Sequence, residues 1–230
     1  MNRHAVLSLL LLAGIAGAAA PKPELNLPGE NFHGDEVSAR DGQTWLALVV
    51  DAGKARLQST RLRVEAVNDP VLDADDEKTG RSVTAPGVEA LVFLRGMAAL
   101  APGDVPLAVP SEADLSTAAP FESNLAGTRF RLIAECTVAS SRCSLSLVDG
   151  ERRQVLLERE AQAGDDGSPG FGEAVPRLLF AGDLDRDGRV DLLLDTTDHY
   201  NLSRPTLFLS GAAGKGELVR QVAQQELTGC

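Results

Sequence analysis

Four acids at odd spacing carry the strongest chemical signal in the chain. Residues 182–195 read Gly-Asp-Leu-Asp-Arg-Asp-Gly-Arg-Val-Asp-Leu-Leu-Leu-Asp, which puts aspartates at loop positions 1, 3, 5 and 9 and Gly188 at position 6. A tight loop that turns its odd side chains inward places Asp183, Asp185 and Asp187 around one ion, with the Arg189 carbonyl and Asp191 filling further positions. All of these donors are hard oxygens. Ca²⁺ takes six to eight such ligands in loose geometry, Mg²⁺ demands a stricter octahedron and zinc prefers nitrogen or sulfur, so calcium is the expected occupant. Gly188 stands where the chain must reverse, and a left-handed backbone there costs a residue with a side chain about 1 kcal/mol or more.

Position 12 separates the families that share this beginning. An EF-hand closes the ion with a bidentate Glu between helices, but Leu194 holds that place here and the flanks are β-patterned. A dockerin-type loop also wants an acid there, and Asp195 comes one residue late. Val190, Leu192 and Leu194 alternate with Asp191, Leu193 and Asp195, which sets Asp191 at the mouth of an emerging strand. Strand, Asp-x-Asp-x-Asp-Gly-x-x-Asp, strand: over about Phe180–Asp195 the chain resembles the cation loop of integrin-α or FG-GAP repeats. The resemblance implies Ca²⁺ held by Asp183, Asp185, Asp187, the Arg189 carbonyl and Asp191, with the ion pinning a β-hairpin. Phe171-Gly172 lies farther upstream than that family's Phe-Gly, the closing Gly-Ala-Pro is replaced by Asp195–Asp198, and one copy is present. A seven-bladed propeller needs several copies and a longer chain, so the motif speaks for a metal more than for a propeller.

Other chemistry-bearing residues are sparser. Asp73, Asp75, Asp76 and Glu77 lack the alternating order and a Gly at the reversal, and read as a solvated loop. His199, beside Tyr200 and near Asp195 and Asp198, is either a polar loop residue or the acid/base group of a hydrolase. Beyond the first residues only His33 and His199 remain as histidines, and neither Gly-x-Ser-x-Gly nor Ser-x-x-Lys occurs. Gly214-Lys215 has Leu209 and Gly216 where a phosphate loop needs Gly and Ser or Thr. A carboxylate-pair hydrolase stays open, because 33 acids offer many pairs.

The elements that must hold the loop are strands. Apolar or alternating runs at Trp45–Val50, Arg61–Val67, Ala90–Leu94, Arg129–Cys136, Cys143–Val148, Gln154–Arg159, Arg177–Ala181, Val190–Asp195 and Thr206–Ser210 are punctuated by Gly and Pro. Trp45 reads as core. Glu217–Leu227 is strand or short helix, and Ala98 to Phe121 reads as a linker or long loop. A two-residue turn at Asp149-Gly150 would set Leu145 opposite Gln154, so a bulged three-residue turn is expected there. The fold class is mainly β, with antiparallel sheets in a sandwich or partial propeller-like arrangement. Residues 20–122 form an N-terminal β-rich subdomain and residues 123–230 a C-terminal one that carries the loop.

Arg3, the apolar Ala5–Leu12 and the small residues Ala16–Ala20 read as a signal peptide over residues 1–19, cut after Ala18 or Ala19. The apolar run is too short for a membrane span, and no Cys stands there for a lipid anchor. Losing Arg3 leaves 21 basic against 33 acidic residues, a balance that opposes nucleic-acid and anionic-membrane binding and suits cations. Cys136 and Cys143 face inward on neighbouring strands and are expected to close a disulfide in an oxidising compartment. Cys230 is left over for a free thiol or an intermolecular bridge. The expectation is an exported bacterial protein, periplasmic or secreted, that uses a calcium-stiffened β body to bind an envelope protein or glycan without catalysis. The alternatives are a periplasmic hydrolase using His199 or a carboxylate pair, and a subunit of an envelope assembly.

Overall fold

The computed structural model describes residues 22–109, 112–115, 117–137, 139–163 and 167–229. The leader over residues 1–19 and Cys230 lie outside them. Among the described residues the chain is β throughout, with no helix, several antiparallel sheets and no closed barrel.

Three sheets make the body. The first runs in the order Glu24–Asn26, Val92–Arg95, Thr44–Asp51, Lys54–Arg61 and Gly103–Val105. The second has Ala113–Asp114, Arg177–Gly182, Asp191–Asp195, Pro205–Leu209 and Arg220–Gln224 in line, with Leu107–Val109 also pairing onto Arg177–Gly182. The third is the meander Phe121–Leu125, Thr128–Thr137, Arg142–Asp149 and Arg152–Glu160. A smaller sheet joins Gly29–Phe32, Gly80–Thr84 and Arg63–Val67.

Three apolar clusters separate these sheets into four layers. Trp45, Ala47, Val49 and Phe93 point from the first sheet towards Val83 of the small one and Leu62 at its edge. From the opposite face Leu48, Leu57 and Leu94 meet Phe180, Leu193 and Leu207 of the second sheet. Leu178, Leu192, Leu194 and Phe208 face the other way, onto Phe130, Leu132, Leu145 and Leu147 of the meander. The second sheet is therefore covered on both sides, and every residue of Asp191–Asp195 and of Pro205–Leu209 is buried. Successive side chains of a strand point to opposite faces, so the run Leu192-Leu193-Leu194 serves two cores at once. Leu179 and Phe180 both join the cluster against the first sheet, and a register irregularity between Leu178 and Phe180 makes this possible.

Several expectations need correction. The run Arg61–Val67 is not one strand: the chain breaks at buried Leu62, and Ala66 is exposed. Lys54–Arg61 and Gly80–Thr84 were not anticipated, since polar residues dominate both. The stretch read as a linker is knitted into two sheets, Gly103–Val105 pairing with Lys54–Arg61 and Leu107–Val109 with Arg177–Gly182. The turn after Asp149 has two residues, Gly150 and Glu151, because Asp149 pairs with Arg152; the irregularity sits inside the strand, where Leu145 pairs with Leu157 but Ser146 with Val155. Val155, half exposed, pairs with Ser146 and so lies on the opposite face from Leu145. Glu217–Leu227 resolves as strand Arg220–Gln224. Cys136 and Cys143 are directly opposed and joined as a disulfide, which ties the chain to itself within one hairpin.

Candidate metal centre

The acidic loop connects two neighbouring strands of the buried second sheet, Arg177–Gly182 and Asp191–Asp195. Its entry is fixed by the Asp183 N–H, which donates to the Pro106 carbonyl at 2.9 Å, and by Leu184, which is fully buried against the first sheet. With Leu184 anchored inward, the odd side chains converge. One carboxylate oxygen from each of Asp183, Asp185 and Asp187 lies within 4.8 Å of the others. Gly188 has a φ of 84°, the left-handed reversal expected of it, and Arg186 shares that region at 61°.

Backbone N–H groups preset the loop. Asp183 accepts from the Asp187 N–H at 2.9 Å and the Gly188 N–H at 3.0 Å. Asp185 accepts from the Asp187 N–H at 3.3 Å and from Gly211 across the sheet at 3.0 Å. A side chain at Gly211 would collide with the Asp185 carboxylate, its Cβ falling 2.3 Å from Oδ2. Asp187 accepts from the Arg189 guanidinium at 2.9 and 2.5 Å and from the Ser210 hydroxyl at 2.9 Å.

Asp191 stands apart from the trio and is fully buried. Its Oδ2 accepts from Leu184 and Asp185 N–H groups at 2.7 and 3.3 Å, and its Oδ1 from the Ser210 N–H and hydroxyl at 2.7 and 2.8 Å. Three N–H groups and the Ser210 hydroxyl surround this carboxylate, the single hydroxyl proton being shared between Asp191 and Asp187. In this geometry Asp191 fastens the loop to the end of the Pro205–Leu209 strand. The Arg189 side chain does likewise, donating to the Ser210 carbonyl at 2.8 Å.

The electrostatics describe a site short of positive charge. Burial, then the neighbouring charge of Asp187, pushes the Asp185 carboxyl up, against the N–H groups that bond it. Burial also pushes Asp191 up, to about 7, the N–H and hydroxyl of Ser210 offsetting only part of it. Burial acts in the same sense on Asp187, but the hydrogen bonds from Arg189 and Ser210 outweigh it and leave that group lowered. The donor set fits a hard divalent cation: three convergent carboxylates, no nitrogen or sulfur, and oxygens of Asp183 and Asp185 with lone pairs left after their hydrogen bonds. Asp187 can join once Arg189 gives up one of its contacts.

Sequence reasoning placed the trio but missed Ser210, Gly211 and Arg186. Arg186 reaches out of the loop to the Ala101 and Asp104 carbonyls, both at 3.1 Å, beside the first sheet. These contacts span 19 to 85 residues of chain, so no local pattern announces them. The other candidates come to rest elsewhere. His199 is exposed, its Nδ1 hydrogen-bonded to Asn201 Oδ1 and its ring 4.4 Å from that of Tyr200. Asp195 is held by the Thr197 and Arg204 N–H groups and the Ser203 hydroxyl. Asp73 organises its loop by accepting from Asp69, Thr79 and the Thr79 hydroxyl, while Asp75, Asp76 and Glu77 are exposed. Trp45 is core. Comparison with protein-family models, curated proteins and solved structures finds no match to this chain.

Proposed function

We propose that this chain is an exported calcium-binding β protein whose acidic loop, once loaded, fastens three parts of the fold, and that the stiffened body binds another envelope molecule, protein or glycan, without catalysis. The observation that carries the metal reading is the convergence of Asp183, Asp185 and Asp187 within 4.8 Å at the mouth of a doubly buried strand. The disulfide supports an oxidising compartment. No helix among the described residues is long and apolar enough to cross a membrane. Asp183, Asp185 and Asp187 are the ligands on this reading, the Arg189 carbonyl and water complete the shell, and Asp191 positions the loop.

Calorimetric titration of CaCl₂ into chelator-stripped protein tests this. One site is expected, with stabilisation of about 2.7 kcal/mol at a hundredfold excess over Kd, a rise in Tm of roughly 5–10 °C for a chain of this size. Asp187→Asn should abolish that rise. Superimposable melting curves in calcium and in chelator would sink the metal reading. The binding role is tested separately by capture from an envelope fraction in calcium and in chelator, where recovery of the same background in both would count against it.

A further inference from the structure

The small sheet has an edge strand that its neighbour holds loosely. Gly29–Phe32 pairs with Gly80–Thr84 only through Gly29 with Val83 and Phe32 with Arg81, with an irregularity between the two. So short a ladder needs another tie at the strand's end. His33, the next residue, supplies it. Its Nδ1 lies 2.5 Å from Oδ2 of Asp69, which stands in the turn leading from Arg63–Val67 back to Gly80–Thr84. Asp69 is 2% exposed, and its Oδ1 accepts the Val71 and Leu72 N–H groups at 3.0 and 3.2 Å. A carboxylate so enclosed cannot follow the ring, so the pair ties two segments 36 residues apart. The backbones meet there as well: a Cβ on Gly34 would fall 2.4 Å from the Thr79 carbonyl oxygen. The turn supports itself, since Asp73 accepts from the Asp69 and Thr79 N–H groups and Asn68 donates to the Ala74 and Glu77 carbonyls. It is the fixed post, and the strand end is the part that moves.

The charge around the ring is mostly negative. Glu36 accepts the His33 N–H at 2.9 Å, Asp35 precedes it, Asp69 caps Nδ1 and Asp73 is bonded to the Asp69 backbone. On the neighbouring strand Arg81 turns its guanidinium to the Thr79 and Gly80 carbonyls. The hydrogen bond to Asp69, with the charges of Glu36, Asp69 and Asp35, raises the proton affinity of His33 although burial works against it. The same bond lowers Asp69. His33 thus holds its proton more tightly folded than unfolded, so its stabilisation is complete below about pH 6.5 and is lost as pH rises through the higher folded value. Asp69 keeps the pair charged down to below about pH 4.

Glu36 carries the effect onward. Its second oxygen accepts the Thr228 N–H at 2.5 Å, so the carboxylate that holds His33 also holds the strand Leu227–Thr228. Asn31, Phe32 and Glu36 line one open groove with Tyr200, Asn201 and Thr228. We propose that His33 and Asp69 form a pH-operated latch, which in mildly acid solution fixes the end of Gly29–Phe32 and one wall of that groove and above neutrality releases both.

Nuclear magnetic resonance of the isotope-labelled full-length protein between about pH 5.5 and 8 provides the test. The His33 ring should titrate above about 6.5. Amide-exchange protection, corrected for the intrinsic pH dependence of exchange, should fall by about threefold or more at His33 and Thr228 across that titration, while Thr44–Asp51 holds. His33→Asn keeps a donor in the place of Nδ1 and cannot titrate, so the fall should vanish. Asp69→Asn should bring the ring midpoint down. The wild-type titration decides even where a variant folds poorly. A ring midpoint at or below about 6.5, unchanged protection at His33 and Thr228, or a fall as large in His33→Asn as in the native chain would overturn the proposal.

Discussion

A carboxylate that is buried and surrounded by donors can be kept there by a proton, by a cation or by hydrogen bonds alone, and Asp185, Asp187 and Asp191 divide these solutions among themselves. Burial raises the proton affinity of Asp185, so protons compete with a metal there, and it raises Asp191 to about 7, so the charge beside the loop that favours a cation grows as Asp191 gives up its proton. Calcium affinity should therefore rise with pH between about 5 and 7, with protons released on binding, measurable by titration in buffers of different ionisation enthalpy. In the metal-free protein the sign is opposite. Asp191 is up at about 7 when folded and far lower when unfolded, so the native state binds the extra proton and stability falls as pH rises from about 4 to 7. Denaturant titrations of chelated protein at pH 5 and pH 7 check this; a stability that climbs over that interval would contradict the burial of Asp191. The acids were legible because ligand geometry imposes spacing on sequence, Asp183 to Asp187 alternating with Leu184. The hydroxyl of Ser210 was not, because a serine that completes a site from a distant strand looks like any other serine.

At the scale of elements, the loop is tied to its neighbours by single residues whose substitution separates contact from backbone strain. Arg186 holds two carbonyls beside Gly103–Val105 while its own backbone is left-handed. Arg186→Ala loses the tie and keeps the strain, an expected cost of about 1–2 kcal/mol; Arg186→Gly loses the tie and relieves the strain, and should be the milder change. Thermal melts of both, with the order reversed, would refute this account. The hairpin disulfide is a second tie. Its removal by Cys136→Ser with Cys143→Ser is expected to cost roughly 2–3 kcal/mol by the loop-entropy relation. Strands with apolar runs were readable from sequence, as Thr44–Asp51 and Arg142–Asp149 attest. Lys54–Arg61 buries only Ala55 and Leu57 deeply, and Gly103–Val105 only Val105, so both are strands by pairing with neighbours and their residues alone carry no such signal.

For the whole molecule, the layering decides where a change is felt. Leu193 lies between the first and second sheets with no exposure, in a cluster drawn from residues 25 to 223. Leu193→Ala should cost about 2–5 kcal/mol and lower the denaturant midpoint for the first and second sheets together. Two separate unfolding transitions, only one of them shifted, would contradict that packing. The mainly β composition was evident from the chain; the stacking of four layers was not, since alternation marks a strand's two faces without naming what covers each.

The Asp191–Asp195 strand shows one more consequence of being apolar on both sides. In most sheets a slip of one residue throws greasy side chains into water, and that penalty guards the alignment. Here a slip would merely trade one leucine for another between two dry interiors. What holds the strand in place is polar punctuation at its two ends: Asp191 keyed to Ser210 and the loop, Asp195 keyed to Thr197, Ser203 and Arg204. Neither aspartate would find its donors one step along, so these buried acids act as the stops that give an otherwise sliding strand a single position.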